Sequence, residues 1–287
     1  MNRKKILKFL LTFFVIITLN FCLPRLMPGD PFFFLSSEQG DITATYSDEE
    51  IQRLKAYYGL DRPLLIQYIQ YIVSLARGDL GYSIYFGNEV RTIIKNRIPW
   101  SISLVLLSVI IGGFMGTSLG CLSAWMRDRM PDKILYSALV LVSEIPPFII
   151  GILFLFYLAA DWNLFPLSGG MTPFADSWSW THRFFDIVHH GFLPALTLAV
   201  VHMGGFFLIA RNSMITVINK DYITTARAKG LSSGRIIFRH ALPNAALPVV
   251  TRMFNNLGQA VGGTILVENV FKYPGLGLLM RQAVLVR

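Results

Sequence analysis

The chain is 287 residues long, 53% hydrophobic and only 15% charged, and its mean hydropathy of +0.51 lies outside the range usual for soluble domains. A formal charge of +9 would suggest nucleic acid as the partner of a soluble protein, but here Lys and Arg cluster between apolar stretches, as the positive-inside rule requires. Composition therefore sets nucleic-acid binding aside and predicts an all-α polytopic membrane protein in contact with lipid.

A spanning helix needs about 20 apolar residues, and five stretches approach that: 6–23, 100–124, 134–160, 192–210 and 245–267. Arg3, Lys4, Lys5 and Lys8 precede or open the first. Arg127, Arg129 and Lys133 separate the second from the third, and six Lys or Arg run from Arg211 to Arg239 between the fourth and fifth. The loop 161–191 holds only Arg183, so the N-terminus is expected on the cytoplasmic side and this loop outside. The loop 24–99 carries eight Lys or Arg but is too long to bear on orientation.

The first stretch resembles a signal peptide, and "LNFC" approaches a lipoprotein cleavage box, but bulky Phe21 before Cys22 argues for an uncleaved helix over 1–24. Cys22 and Cys121 then fall near opposite membrane faces, too far apart for a disulfide. An external helical cap domain follows at 25–99. Ser47-Asp48-Glu49-Glu50 is a capping box for one helix, ended by Gly59. A second helix starts at Pro63 and stops at Gly78, with Tyr68, Tyr71, Ile72 and Leu75 on one face. This cap either shields the outer ends of the spans or touches substrate.

In the second span Gly112, Gly116 and Gly120, continued by Ala124, form a small-residue face on which another helix can pack closely. The third span carries Glu144. In the fifth, Arg252, Asn255, Asn256 and Gln259 share one helix face, with Gly263 on the same side. Such a face looks into protein or a water-filled path, or else hydrogen-bonds between helices while Arg252 snorkels to the surface. At ~1.5 Å per residue, Glu144 and Arg252 lie about 15 and 10 Å from the inner ends of their helices, so they are expected to pair, or Glu144 alone to face the path.

The segment 211–243 is basic and punctuated by glycine. Asp221 is expected to cap a helix, Gly230 to end it in a left-handed turn, Ser232 or Ser233 to cap a second helix, and Pro243 to stop that one. Physics alone allows a basic loop resting on anionic lipid.

The pattern Thr224-Thr225-Ala226, Gly230 and Leu242-Pro243 resembles the cytoplasmic EAA motif of ABC importer permeases, with His240 where an apolar residue is usual. "ARAKG" and "RHALPNAALPVV" are similar to the dipeptide, oligopeptide and nickel branch, as are "LMPGDP", "YGLDRPLLIQY", "GDLGYS", "LPALTLA" and "GGTILVENVFKYPGLGLL", in that order. The resemblance implies a type I importer transmembrane fold with a permease core over 100–287. It implies a paralogous second permease, two cytoplasmic ATPases that bind ATP and Mg, and an external binding protein delivering peptides or nickel or another metal as a chelate. It places Thr224, Thr225, Ala226, Gly230 and Leu231 at the contact with an ATPase, and their charge makes Arg227, Lys229 and Arg235 candidates for rim pairing there. Family members normally have a sixth span after a stretch like "LLMRQAVLVR", so either the sequence is truncated at Arg287 or that helix is absent. Glu144 stands where a small residue is more usual.

No GxxxxGK[ST] phosphate loop occurs, so the chain is expected not to hydrolyse ATP itself, and it carries no catalytic constellation and no cofactor of its own. His189 and His190 are adjacent rather than at helical spacing, which disfavours a metal site. The competing classes are an ion-gradient carrier using Glu144, against which stand the absence of internal repeats and of recognisable unwound helices, and a membrane-embedded enzyme, which lacks a nucleophile or metal cluster.

Overall fold

The computed structural model describes residues 3–26, 52–53, 56, 59–83 and 85–286, which fall into two units, one drawn from 1–95 with 282–287 and one from 96–281. The capping box at 47–50 and residues 27–31 of "LMPGDP" lie outside the described residues.

In the first unit α1 (Arg3–Leu26) packs its C-terminal half on α2 (Leu64–Ala76). Phe21 is buried edge-on against Tyr68, with centroids 5.0 Å apart, and beside Tyr71 at 5.6 Å. Thr18 Oγ1 meets the Tyr68 hydroxyl at 2.6 Å, and Arg25 Nη2 donates to Gln67 Oε1 at 2.9 Å. Tyr68 and Tyr71 belong to the face expected from spacing. Gly59 and Gly78 adopt φ of +67° and +78°, so each supplies the left-handed residue its position predicts. A two-stranded hairpin, β1 (Tyr82–Ser83) with β2 (Asn88–Glu89), precedes α3.

The second unit consists of α3 (Val90–Trp125) from residue 96 onward, α4 (Met130–Ser143), α5 (Pro147–Phe154) with its π-helical extension Leu155–Asp161, and α6 (Trp180–Ile218). Then come α7 (Asp221–Ala228), α8 (Ser233–Arg235) with a π-helical turn Ile236–Ala241, α9 (Leu242–Ala245), α10 (Leu247–Gly263), α11 (Ile265–Val270) and α12 (Leu276–Val286), whose residues to 281 belong here. The central element is α6, which contributes buried side chains to all four apolar clusters of the unit.

The glycine face of α3 is what lets α6 take that place. A Cβ on Gly112, Gly116 or Gly120 would stand 2.6–2.7 Å from the carbonyl oxygens of Ala199, Met203 and Phe207, so only glycine admits backbone this close. Gly204 of α6 does the same toward α4, where its Cβ would lie 2.8 Å from Leu139 O.

Two of the five expected spans are not single helices. The third is broken by a 97° bend between Met130–Ser143 and Pro147–Asp161. Pro146 and Pro147 lack amide donors and push Ile145 out of helical conformation, so "EIPP" ends one helix and starts another at the place where Glu144 sits. The fifth is split at Thr264 into α10 and α11. Among the described residues three helices are long and apolar enough to cross a membrane, α1, α3 and α6, or four if the bent pair forms one span.

Candidate functional site

The basic segment folds back on the ends of α3 and α6. An eight-residue helix has little stability of its own, and α7 is held by its inner face: Ile223 and Ala226 are buried among Cys121 and Ala124 of α3, Met214 and Val217 of α6, and Ile236, Ala241 and Ala245 further on. Full burial of Ile223 contributes about 1.5–3 kcal/mol. The helix ends in a Schellman turn, in which the Leu231 amide donates to Ala226 O and the Gly230 amide to Arg227 O, with Gly230 at φ +70° and Leu231 packed on the cluster.

This burial sorts the candidate residues. Thr224, Thr225, Arg227, Lys229, Gly230 and Arg235 are exposed, Leu231 is half-buried, and Ala226 faces inward as part of the seat. Asp221 stands in the first turn of α7, with Lys220 at the cap position, so it acts through its charge near the helix N-terminus rather than by capping. Ser232 takes the cap position of α8 without a side-chain hydrogen bond. Pro243 does not stop the helix. The wider winding of Ile236–Ala241 accommodates the ring that a regular helix would clash with, and the chain continues helically through Leu242–Ala245. Two exposed aromatics that spacing did not single out, Tyr222 and Phe238, join this surface, Phe238 being 72% exposed.

On α10, Arg252 and Asn255 are exposed and Asn256 is half-buried, so this face opens away from the chain's own core; Gln259 continues the helix, and its side chain lies outside the described residues. Glu144 is exposed at the bend and makes no ion pair with Arg252, because the break turns the chain at Glu144 instead of carrying a straight helix past it. Since a broken helix is also seen in ion-driven carriers, the bend removes one expected argument against that class.

At the other end of the unit, Glu268 is fully buried and, among the described residues, forms no ion pair. Its carboxylate accepts the hydroxyls of Ser101 (2.7 Å) and Thr264 (3.0 Å) and the amides of Gly277 (2.5 Å) and Leu278 (3.2 Å). It thus ties the split at Thr264 and the start of α3's apolar stretch to the N-terminus of α12, where free amides and the helix dipole favour an anion. A Cβ on Gly275 or Gly277 would collide with this carboxylate, which explains the glycines of "PGLG". Glu268 stands one residue beyond the expected fifth span, and an acidic residue followed by a glycine-rich turn was the available signal.

His189 and His190 point to separate backbone carbonyls, Leu164 O at 3.0 Å and Asp186 O at 2.9 Å. Among the described residues no group of three His, Cys, Asp or Glu side chains is arranged to hold a metal ion.

The sequence matches the family described as "Binding-protein-dependent transport system inner membrane component" over residues 116–287. It is 33% identical over 282 residues to the dipeptide transport system permease protein DppB of Escherichia coli, covering 93% of this chain and 82% of that protein. It is 34% identical over 269 residues to the DppB of Lactococcus lactis, with 93% and 81% covered. It is 32% identical over 284 residues to the glutathione transport system permease protein GsiC of Salmonella choleraesuis, with 99% and 86% covered.

Proposed function

Because this chain belongs to the family of binding-protein-dependent transport system inner membrane components, the multi-pass permeases of ABC importers, we propose that it forms part of a translocation path for peptides and takes its motion from a cytoplasmic ATPase through the surface of α7. The observation that carries this reading is the division of α7 into two faces. Ile223 and Ala226 fix it to the ends of two long helices, while Thr224, Thr225, Arg227, Lys229 and Gly230 stay exposed for a partner. A docking element needs this combination, since a displacement of its outer face is transmitted only if the inner face is anchored.

Peptides are the substrate class because the relatives' names are peptide and glutathione permeases; no observation favours the nickel or metal-chelate class. A second, paralogous permease would close the path against the open polar face of α10, with Arg252, Asn255, Asn256 and Gln259, and Glu144 at the bend, as its candidate lining. Two ATPases would bind ATP and Mg and dock on the basic surface, whose excess of Lys and Arg supports a cytoplasmic side for it and for the N-terminus. An external binding protein would deliver the peptide to the opposite end, and this chain has no catalytic step of its own. The reading is tested by co-purification: the ATPases should follow the wild-type chain and be lost from a Gly230→Trp variant that keeps its helical content. Undiminished recovery with that variant would exclude α7 as the docking element.

A further inference from the structure

Asp132 and Arg211 form a fork-to-fork ion pair, with Nη2 to Oδ2 at 2.8 Å and Nε to Oδ1 at 3.0 Å. Ser123 Oγ donates to the same carboxylate and accepts from Arg211 Nε at 3.0 Å, and the Asp128 amide donates to Oδ2 at 3.2 Å. The guanidinium carbon lies 5.2 Å from the centre of the Tyr136 ring. Ser123 is fully buried and Asp132 nearly so. The cluster therefore joins the end of α3, the start of α4 and the C-terminal part of α6.

Its place beside the seat of α7 gives it a use. Ser123 lies between Cys121 and Ala124, and Arg211 precedes Met214 and Val217 by one and two turns; these four flanking residues line the pocket that holds Ile223 and Ala226. A buried ion pair is weak evidence for stability because desolvation offsets its attraction, but its directional bonds hold one geometry. Positive charge for orientation alone could be met by a solvated Lys, whereas a guanidinium gripping both carboxylate oxygens cannot be replaced in that way.

We propose that Asp132, Arg211 and Ser123 are positioning residues for energy coupling: they lock the ends of α3, α4 and α6 into one body beside the socket, so that a displacement of α7 moves all three helices instead of being absorbed between them. This rests on α7 being the docking element. The test uses the assembled importer, purified with its second permease and ATPases, reconstituted in proteoliposomes and supplied with binding protein and a labelled dipeptide. Uptake, ATP hydrolysis and the ratio of ATPase to permease are measured together. Asp132→Asn is expected to keep the subunit ratio while the uptake per ATP hydrolysed falls roughly tenfold, and Ser123→Ala, which leaves the ion pair in place, should lower it about two- to threefold.

An unchanged uptake per ATP hydrolysed in Asp132→Asn would overturn the proposal, whether the yield of complex stays the same or falls, a lower yield alone being the mark of a purely structural role. Should Asp132→Asn fail to assemble, Ser123→Ala decides: a lowered uptake per ATP hydrolysed supports the clamp and a wild-type value overturns it. A wild-type complex that moves no peptide with ATP would instead remove the coupling reading on which the clamp depends.

Discussion

Glu268 Oε2 accepts the Gly277 amide at 2.5 Å inside a site that water does not reach. The carboxylate collects two hydroxyls and two amides, so replacing it by a methyl leaves several buried donors unsatisfied. Glu268→Ala is expected to cost at least about 3 kcal/mol, since each orphaned polar group costs about 1–3 kcal/mol. Glu268→Gln should cost less, because it keeps one acceptor oxygen while turning an amide toward backbone donors. Thermal unfolding of the detergent-purified chain checks both, and a wild-type melting temperature for Glu268→Ala would show that the hub holds nothing together.

The glycine face of α3 supplies a prediction with its own control. Gly116→Ala puts a Cβ 2.6 Å from Met203 O and 2.8 Å from Phe206 Cβ, so α3 and α6 must separate, at a cost of about 1–3 kcal/mol. Gly205→Ala, on α6, meets nothing within 4 Å and should be neutral or stabilising by up to about 1 kcal/mol. The same unfolding assay distinguishes them, and equal losses at both positions would contradict close packing at Gly116.

This packing face was legible because small residues at four-residue spacing report directly on how near two backbones come. The left-handed turn at Gly230 was legible for a similar reason, since few residues adopt its φ of +70°. What the linear pattern concealed was the course of the third and fifth spans. Mean apolarity runs unbroken through Ile145, Pro146 and Pro147, so length suggested one helix where missing amides make two. The Asp132–Arg211 pair was equally hidden, because its partners are 79 residues apart and Arg211 looked like one more inward-facing charge. Glu268 lay inside a stretch matched as a motif, but its four partners come from three separate places in the chain, which spacing does not reveal.

At Gly230 the backbone conformation, not the space, is restrictive. A Cβ there meets nothing within 4 Å, yet a non-glycine residue in the left-handed region costs about 1–2 kcal/mol. Gly230→Val is thus expected to loosen the end of α7 and lower ATP-driven uptake several-fold while the remaining helices melt as before. Gly234→Ala, equally open but without positive φ, should transport normally. Equal transport by both variants would remove the turn from the coupling element.

Among the described residues Glu144 has no ion-pair partner, and it stands exposed at the 97° bend, so Glu144→Gln should leave stability within about 0.5 kcal/mol. If its side chain faces the path, the same variant lowers peptide uptake without changing assembly with the ATPases. Unaltered uptake would take Glu144 out of the path.

We propose that this chain is one of two membrane subunits of an ATP-driven peptide importer, and the sharpest check is uptake of a labelled dipeptide by proteoliposomes holding the complete complex with its binding protein. Uptake should require ATP and the ATPases and should be indifferent to an imposed proton gradient. Uptake driven by that gradient with the ATPases absent would contradict the account and point to an ion-coupled carrier.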